Sequence, residues 1–497
     1  MVVTDEVLLS YQRCSRRAFL DLYGDQRYQD QPSDYSLKLR QDSLEHQRWV
    51  LDQHQPLHHV PYPRHDWVNG AAATLDLMGQ GVDRIANGVL HVSRGNVQLV
   101  SYPKLLIRQD APSRLGNWHY VPVDIKLGKR PKADYQVVAA FQSYLLSELQ
   151  GRLPDHGWLI LRQRGAYAVS LDDMLPRMEE TLEGCIQTLM HPEEPEVFIA
   201  HSRCDLCQWY THCYAIAQSE HHLSLLPGVT PSRYTHLQAL GVQSLEDLSA
   251  LSVKALEGLP GFGPQVAQRL IQQAKATVGQ VALPYWDPDE QENLPLLAPQ
   301  DLPSADVELY FDIEAAPEHN LTYLHGVLVI DHRSHQDEFH ALWANSVEEE
   351  PKIWQQFLQL VERYPNAPIF HFCPYEAQII RKLAIAHHMP ETDIQNLLER
   401  FVDIHERITR VAVLPVESYA LKHIARWIGF QWRDSEANGA QSICWYDQWQ
   451  ATGDRVYLDA ILRYNEDDCW ATYYVKRWLA EFIQQHSSDS NAPERSP

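Results

Sequence analysis

Val307-Glu308-Leu309-Tyr310-Phe311-Asp312-Ile313-Glu314 decides how the second half of this 497-residue chain folds. The apolar run predicts a buried strand. Strand side chains alternate, so Asp312 and Glu314 fall on one face, where they can hold one or two divalent cations. Downstream, Ile369-Phe370-His371-Phe372-Cys373-Pro374-Tyr375-Glu376 predicts a second buried strand, followed by an acid, Glu376, that opens a helix. Leu458 to Cys469 reads as a late helix on which Tyr464 and Asp468, four residues apart, share a face. Taken singly, these segments are a strand end and a solvated helix face; taken in order, they form one constellation. Asp403, in Phe401-Val402-Asp403-Ile404, and Glu417, read as starting a helix, are secondary candidates with structural roles.

Over about residues 306–480 this pattern resembles the DEDD exonuclease superfamily in its tyrosine subtype. The resemblance implies an RNase H-like α/β fold, with Asp312 and Glu314 as the first motif, Glu376 as the second and Asp468 as the third. It implies Mg2+ or Mn2+ held by Asp312, Glu314 and Asp468, a water oriented by Tyr464, and 3′→5′ exonuclease polarity. The second motif departs from the family, which carries aspartate where this chain has Glu376.

Between residues 217 and 281, Leu256 to Ile271 (LEGLPGFGPQVAQRLI) predicts helix, tight turn, helix. Two glycines, Gly261 and Gly263, permit positive φ and uncover backbone amides, and amides at a helix N-terminus suit a phosphate. Leu256, Leu259, Phe262, Val266 and Leu270 supply the apolar seam. The segment resembles the helix-hairpin-helix motif, and a weaker first copy runs from Leu225 through Gly228 to Val242, with Ser244 to Leu248 capping a helix. A helical spacer is the plainer alternative, since the segment carries no net charge.

In the first 216 residues, Cys14 stands alone and Cys204, Cys207 and Cys213 form a C-x2-C-x5-C cluster. Four thiolates so spaced suit an iron–sulfur centre or a soft metal. Zinc, with His201 or His212 in place of Cys14, is a second reading, and four ordinary buried cysteines a third. Val121-Pro122-Val123-Asp124-Ile125-Lys126 predicts a strand with Asp124 and Lys126 on one face, ahead of a helix from Tyr135 to Gln150 and after an early helix bearing Glu45 and His46. The acid–lysine pair resembles that of the PD-(D/E)xK nucleases. The cysteines sit where iron–sulfur members of the RecB-like branch, including CRISPR-associated exonucleases, keep theirs, which implies a 4Fe–4S cluster. Lys104 stands where that family has an acid, and a lysine repels a cation. Gln136 is followed by Ala140 rather than a tyrosine. The N-terminal site is therefore either inactive and DNA-binding, or rescued by Asp76, Asp83 or Asp110.

Five prolines between Ala282 and Ala305 predict an extended linker, and the polar stretch from Ile483 a disordered tail. The expected organisation is α/β multidomain: a PD-(D/E)xK-like α/β domain (1–216), a small all-α tandem helix-hairpin-helix (217–281), the linker, and an RNase H-like α/β domain (306–482). In this order the chain resembles the RecB-like nucleases that join these parts. Of the net charge of −23, residues 282–497 carry −19, so any nucleic acid must be met by local sites and metal ions. The start has no signal-peptide design and no stretch spans a bilayer, so a cytoplasmic protein with no membrane partner is expected. The expected function is metal-dependent cleavage of DNA, with RNA as the alternative substrate and a non-catalytic scaffold as the alternative class.

Overall fold

The computed structural model describes residues 1–63, 66–285, 297–316 and 321–489. The chain divides into two compact units, Met1–Ile216 and Ala217–Pro497.

In the first unit, strands β1 (Val2–Thr4), β2 (His58–His59), β3 (Arg84–Ala86), β4 (Leu90–Arg94), β5 (Val97–Ser101), β6 (Leu105–Gln109), β7 (His119–Lys126), β8 (His156–Leu161) and β9 (Gly165–Ser170) form two sheets. Their orders are β1-β5-β4 and β2-β3-β6-β7-β8-β9. Strand β7 is buried along nearly its whole length, as a central strand covered on both faces must be. It pairs antiparallel with β6 and parallel with β8, so the sheet is mixed. Helices Asp5–Arg13, Ala133–Gln150 and Leu171–Met190 bury Leu8, Phe141, Leu145 and Leu182 in the core above it. Lys104 lies in the bend before β6 rather than on a strand; continuing the Leu105–Val123 register by one residue sets it opposite Asp124.

The second unit opens with short helices, Pro231–Ala239, Leu245–Ala250 and Val253–Leu256, then the longer Pro264–Gly279. Ser244 and Asp247 form a reciprocal capping box. Leu237, Leu248, Leu256, Phe262, Ala267 and Leu270 are buried between these helices. Next come β10 (Leu283–Pro284), β11 (Val307–Ala316), β12 (Leu321–Asp331), β13 (Gln336–Trp343), β14 (Ile369–His371), β15 (Phe401–Asp403) and β16 (Ala412–Val413). A five-stranded mixed sheet has the order β13-β12-β11-β14-β15, with β14 and β15 parallel to β11. Alternation along β11 sends Leu309, Phe311 and Ile313 against Trp354 and Phe357 of the helix Glu350–Arg363. Tyr310 joins the opposite core with Ala471, Val475 and Leu479 of the long helix Arg455–Asp489. The acids of β11 lie on that second face.

Four expectations need correction. The proline-rich linker is tied into the fold at both described ends: Leu283 and Pro284 pair with Val413 and Ala412, and Leu297 is buried, while residues 286–296 lie outside the described residues. The polar tail is helical to Asp489 because Phe482 and Ile483 pack into the core, which carries the last helix past its apolar end; residues 490–497 are outside the described residues. Gly261 has φ +81°, but Gly263 is extended at φ −110° and serves as N-cap of Pro264–Gly279. Glu417 does not start a helix; Leu421–Trp427 begins after it, capped by Ala420.

Candidate metal centre and nucleic-acid interface

Strand β11 and the helix Arg455–Asp489 bring Asp312, Glu314 and Asp468 together, with one ligand atom from each lying within 4.8 Å of the others. Buried acids are ordinarily paired with cations. Here each carboxylate instead accepts a hydrogen bond from a neutral side chain. Asn465 Nδ2 donates to Asp312 Oδ2 at 2.6 Å, Ser442 Oγ to Glu314 Oε2 at 2.8 Å, and Trp432 Nε1 to Asp468 Oδ1 at 2.8 Å. Ser442 is in turn held by the Tyr323 hydroxyl at 2.9 Å, and Tyr323 stacks on Tyr446 with centroids 4.1 Å apart.

The neighbouring acids are treated differently. Arg433 binds Asp467 at 2.8 Å and Glu466 at 2.6 Å, so adjacent residues Trp432 and Arg433 sort the acids of one helix into a neutrally held one and two neutralised ones. Burial, followed by repulsion from Asp468, Glu314 and Glu376, raises the Asp312 carboxyl well above the usual range. Burial and then the Asp468 charge push Glu314 up to about 8, and burial pushes Asp468 to about 7. A close-set group of carboxylates with neutral donors and no bonded Lys or Arg, among the described residues, fits divalent cations as the missing counter-charge.

Tyr464 hydrogen-bonds Asp468, and burial followed by the Asp468 charge raises its phenol far above the ordinary value, keeping it protonated. The Lys422 ammonium lies 6.0 Å from the Tyr464 ring and 5.6 Å from that of Trp432. Glu376 is buried in the first turn of Tyr375–Ala386, with Oε2 3.5 Å from His371 Nδ1. It stands outside the close-set trio, but its charge reaches Asp312 and Glu314. Asp403 caps Ile404–Val411 and accepts from the Cys373 amide at 3.0 Å, a structural role.

Asn465, Ser442 and Trp432 were missed in the sequence, as was Gly326. That glycine pairs with Asp312 across the sheet, and a Cβ there would lie 1.7 Å from Asn465 Oδ1. Any larger residue would displace the donor that holds Asp312.

In the helical segment, Gly228 and Gly261 both have positive φ, +91° and +81°, in the two turns. Arg233 links those turns: its Nη1 donates to Gly228 O at 2.7 Å and its Nε to Gly261 O at 2.9 Å. Gly263 leads directly into the first turn of Pro264–Gly279, whose amides have no partner within the helix.

In the first unit, Lys126 Nζ lies 2.8 Å from Asp124 Oδ2 and 5.6 Å from the Tyr135 ring. Asp83 and Asp110 flank Arg108 at the far end of β6 and do not approach Asp124, and Asp76 bonds Gln80. Besides Asp124, the acid whose charge reaches Lys126 is Asp5, buried and held by Ser101 Oγ at 2.8 Å and the Tyr102 amide at 3.0 Å. Its place five residues into the chain gave no hint of this. His46 Nε2 is buried and burial lowers the ring's pKa, while Glu45 is exposed and bonds Gln41. Gln136 turns back to the Pro131 carbonyl.

The four cysteines are free thiols near enough for the Cys14 charge to reach the other three, but among the described residues their sulfurs are not as close-set as the carboxylate trio. Burial raises Cys204, Cys207 and Cys213, and the Cys14 charge adds to the rise in all three. The Arg17 and Ala200 amides point at the sulfurs of Cys14 and Cys204, each at 3.4 Å, and Arg16 bonds Cys213. Amide and guanidinium donors around clustered thiols suit thiolate ligands.

No helix among the described residues is long and apolar enough to cross a membrane. No curated protein matches the chain. Residues 309–480 match the RNase_H superfamily model, and residues 219–276 match the SAM-like helix-hairpin-helix tandem. The chain thus carries an RNase H superfamily domain and a tandem helix-hairpin-helix domain in an α/β multidomain architecture, which together support a nuclease that processes nucleic acid.

Proposed function

We propose that the protein is a divalent-metal-dependent exonuclease that removes nucleotides from DNA in the 3′→5′ direction at the site of Asp312, Glu314 and Asp468. The observation that carries this reading is the carboxylate trio, Glu314 and Asp468 buried and Asp312 half-buried, held by three neutral donors, a built site short of positive charge. Mg2+ or Mn2+ bound there supplies Lewis-acid activation of water and stabilisation of the leaving oxygen. Asn465, Ser442 and Trp432 fix the rotamers of the three acids. Tyr464, protonated and bonded to Asp468, orients the attacking water, and Glu376 adds negative charge beside the trio. DNA and polarity rest on the family resemblance, with RNA as the other substrate to be assayed.

In the same reading the helix-hairpin-helix turns at Gly228, Gly261 and Gly263 bind backbone phosphates. The first unit is proposed to be a RecB-like PD-(D/E)xK domain bearing a 4Fe–4S cluster on Cys14, Cys204, Cys207 and Cys213, with zinc as the alternative, and with Asp124 and Lys126 as the remnant of its site. The test is hydrolysis of labelled single- and double-stranded DNA and RNA with and without Mn2+. Asp312→Ala is expected to abolish metal-dependent turnover while the folded state persists, and Lys126→Ala to leave it nearly unchanged. Full activity in Asp312→Ala would remove this domain from the catalytic account and favour a scaffold.

A further inference from the structure

We infer that the helix-hairpin-helix unit is a rigidly docked anchor that fixes which phosphodiester bond reaches the carboxylate site, so that the preferred substrate is a polynucleotide long enough to occupy both. The inference rests on the nuclease reading above. It is carried by the helix Pro264–Gly279, whose N-terminus forms the second hairpin and whose middle is clamped to the segment between Thr409 and Tyr419.

The clamp is polar and specific. Arg269 Nη1 donates to Thr409 O at 2.6 Å, and its guanidinium lies over the rings of Tyr285 at 4.8 Å and Tyr419 at 5.5 Å. Gln273, only 1% exposed, donates to Leu414 O at 2.5 Å and accepts from the Tyr419 hydroxyl at 2.9 Å. That hydroxyl also accepts from the Leu414 amide at 2.9 Å. The chain leaving the helix then pairs Leu283 with Val413, and the Tyr285 amide with Val411 O at 2.8 Å. A surface that merely excluded water would not need two side-chain bonds to main chain and a shared tyrosine.

Two consequences follow from geometry. A helix is stiff, and at about 1.5 Å per residue Gly263 sits only about 15 Å from the clamp at Gln273. The phosphate-facing turn is therefore fixed relative to the catalytic sheet, and Arg233 fixes the first turn to the second. The clamped segment also runs, two residues after Tyr419, into Leu421–Trp427, which sets Lys422 over the rings of Tyr464 and Trp432. The anchor thus docks on the chain that leads into the site. A substrate held at both places gains from effective concentration, whereas a mononucleotide ester uses the carboxylate site alone.

The experiment compares, in the full-length protein with Mn2+, hydrolysis of the p-nitrophenyl ester of thymidine 5′-monophosphate with that of 5′-labelled DNA oligonucleotides of stepwise increasing length. Wild-type rates on oligonucleotides should climb with length to a plateau. Arg269→Met should flatten that climb and lower the rate on the longest strands by about tenfold or more, with ester turnover unchanged and the fold verified by calorimetry. Should Arg269→Met fail to fold, Tyr419→Phe, which removes one hydroxyl, takes its place. Equal losses on ester and long strands would overturn the inference, because the clamp would then serve only the fold. Ester hydrolysis combined with length-independent rates would also overturn it and leave the nuclease reading standing. Hydrolysis of neither substrate by the wild-type protein would overturn both.

Discussion

At the residue scale, charge sorting on the last helix explains why three acids can sit together unpaired. Asp467 and Glu466 have Arg433, whereas among the described residues the Asp468 carboxylate has the neutral Trp432 indole and Tyr464 phenol as bonding partners. A neutral donor orients a carboxylate without spending its charge, which leaves that charge for a metal. Such outer partners of ligands are worth about 10–100-fold in metal affinity or activity. Trp432→Phe, which keeps an aromatic ring but loses the N–H, should therefore raise the half-saturating Mn2+ concentration by about 10–100-fold. Ser442→Ala should do the same through Glu314. Calorimetric titration with Mn2+ checks both, and an unchanged midpoint would make these donors mere packing. The acids were legible in the sequence because two periods, 2 on β11 and 3.6 on the last helix, put them on shared faces. Their donors were not, since Asn465, Ser442 and Trp432 are unremarkable polar or aromatic residues until folding carries them to the site from three separate segments. Gly326 escaped for the same reason: the clash it avoids, with Asn465, spans 139 positions and only exists across the sheet.

At the scale of elements, β11 and the last helix are pinned at the end away from the site by Glu308. Its carboxylate, 1% exposed, accepts from Lys476 Nζ at 2.7 Å and Tyr310 OH at 2.6 Å, with His332 Nε2 at 3.2 Å. Burial raises its pKa, but the Lys476 charge and these hydrogen bonds outweigh it, so the net shift is downward. A folded-state pKa below the unfolded one contributes stability above the unfolded value of about 4.3, lost as pH falls through the folded value. Lys476→Met leaves a buried carboxylate without its cation and should cost about 3–5 kcal/mol at neutral pH. The gap between mutant and wild-type unfolding should narrow below about pH 4, as Glu308 protonates in both. Calorimetry across that range reads it, and a gap independent of pH would place the cost in packing instead. The hairpin offers a complementary test. A Cβ at Gly263 meets nothing within 4 Å and the backbone is extended, so Gly263→Asp fits and improves the N-cap. Its carboxylate would repel a phosphate at the amides behind it. Oligonucleotide affinity by fluorescence anisotropy should fall by about tenfold, or about 1.4 kcal/mol, while the melting temperature holds or rises. The turn at Gly261 was legible from its glycines and proline. The helical end of the chain was not, because a composition rule for disorder is blind to a core that Phe482 and Ile483 reach.

At the scale of the whole molecule, the acidic excess and the cysteines mark different jobs for the two units. Residues 282–497 hold −19 of the −23 net charge, so a polyanion is attracted there only where metal ions and the neutral hairpin segment offset the field. The first unit lacks that excess and holds Cys14, Cys204, Cys207 and Cys213. Cys14 follows the helix Asp5–Arg13 and caps Ser15–Tyr23, whereas Cys204, Cys207 and Cys213 lie at the unit's other end in sequence. A shared centre would close a loop of nearly two hundred residues, and closing a long loop removes much unfolded-state entropy. The thiols already face amide and guanidinium donors, and burial keeps Cys204, Cys207 and Cys213 protonated until a metal displaces the protons. Protein purified without oxygen is therefore expected to be brown, with broad absorption in the visible blue and about four irons per chain. Cys14→Ser should bleach it and lower the unfolding temperature of residues 1–216, leaving Mn2+-dependent hydrolysis at Asp312, Glu314 and Asp468 intact. A colourless protein with one zinc per chain, indifferent to Cys14→Ser, would replace the cluster with a local zinc knuckle on Cys204, Cys207 and Cys213, and the first helix would then be held by packing alone.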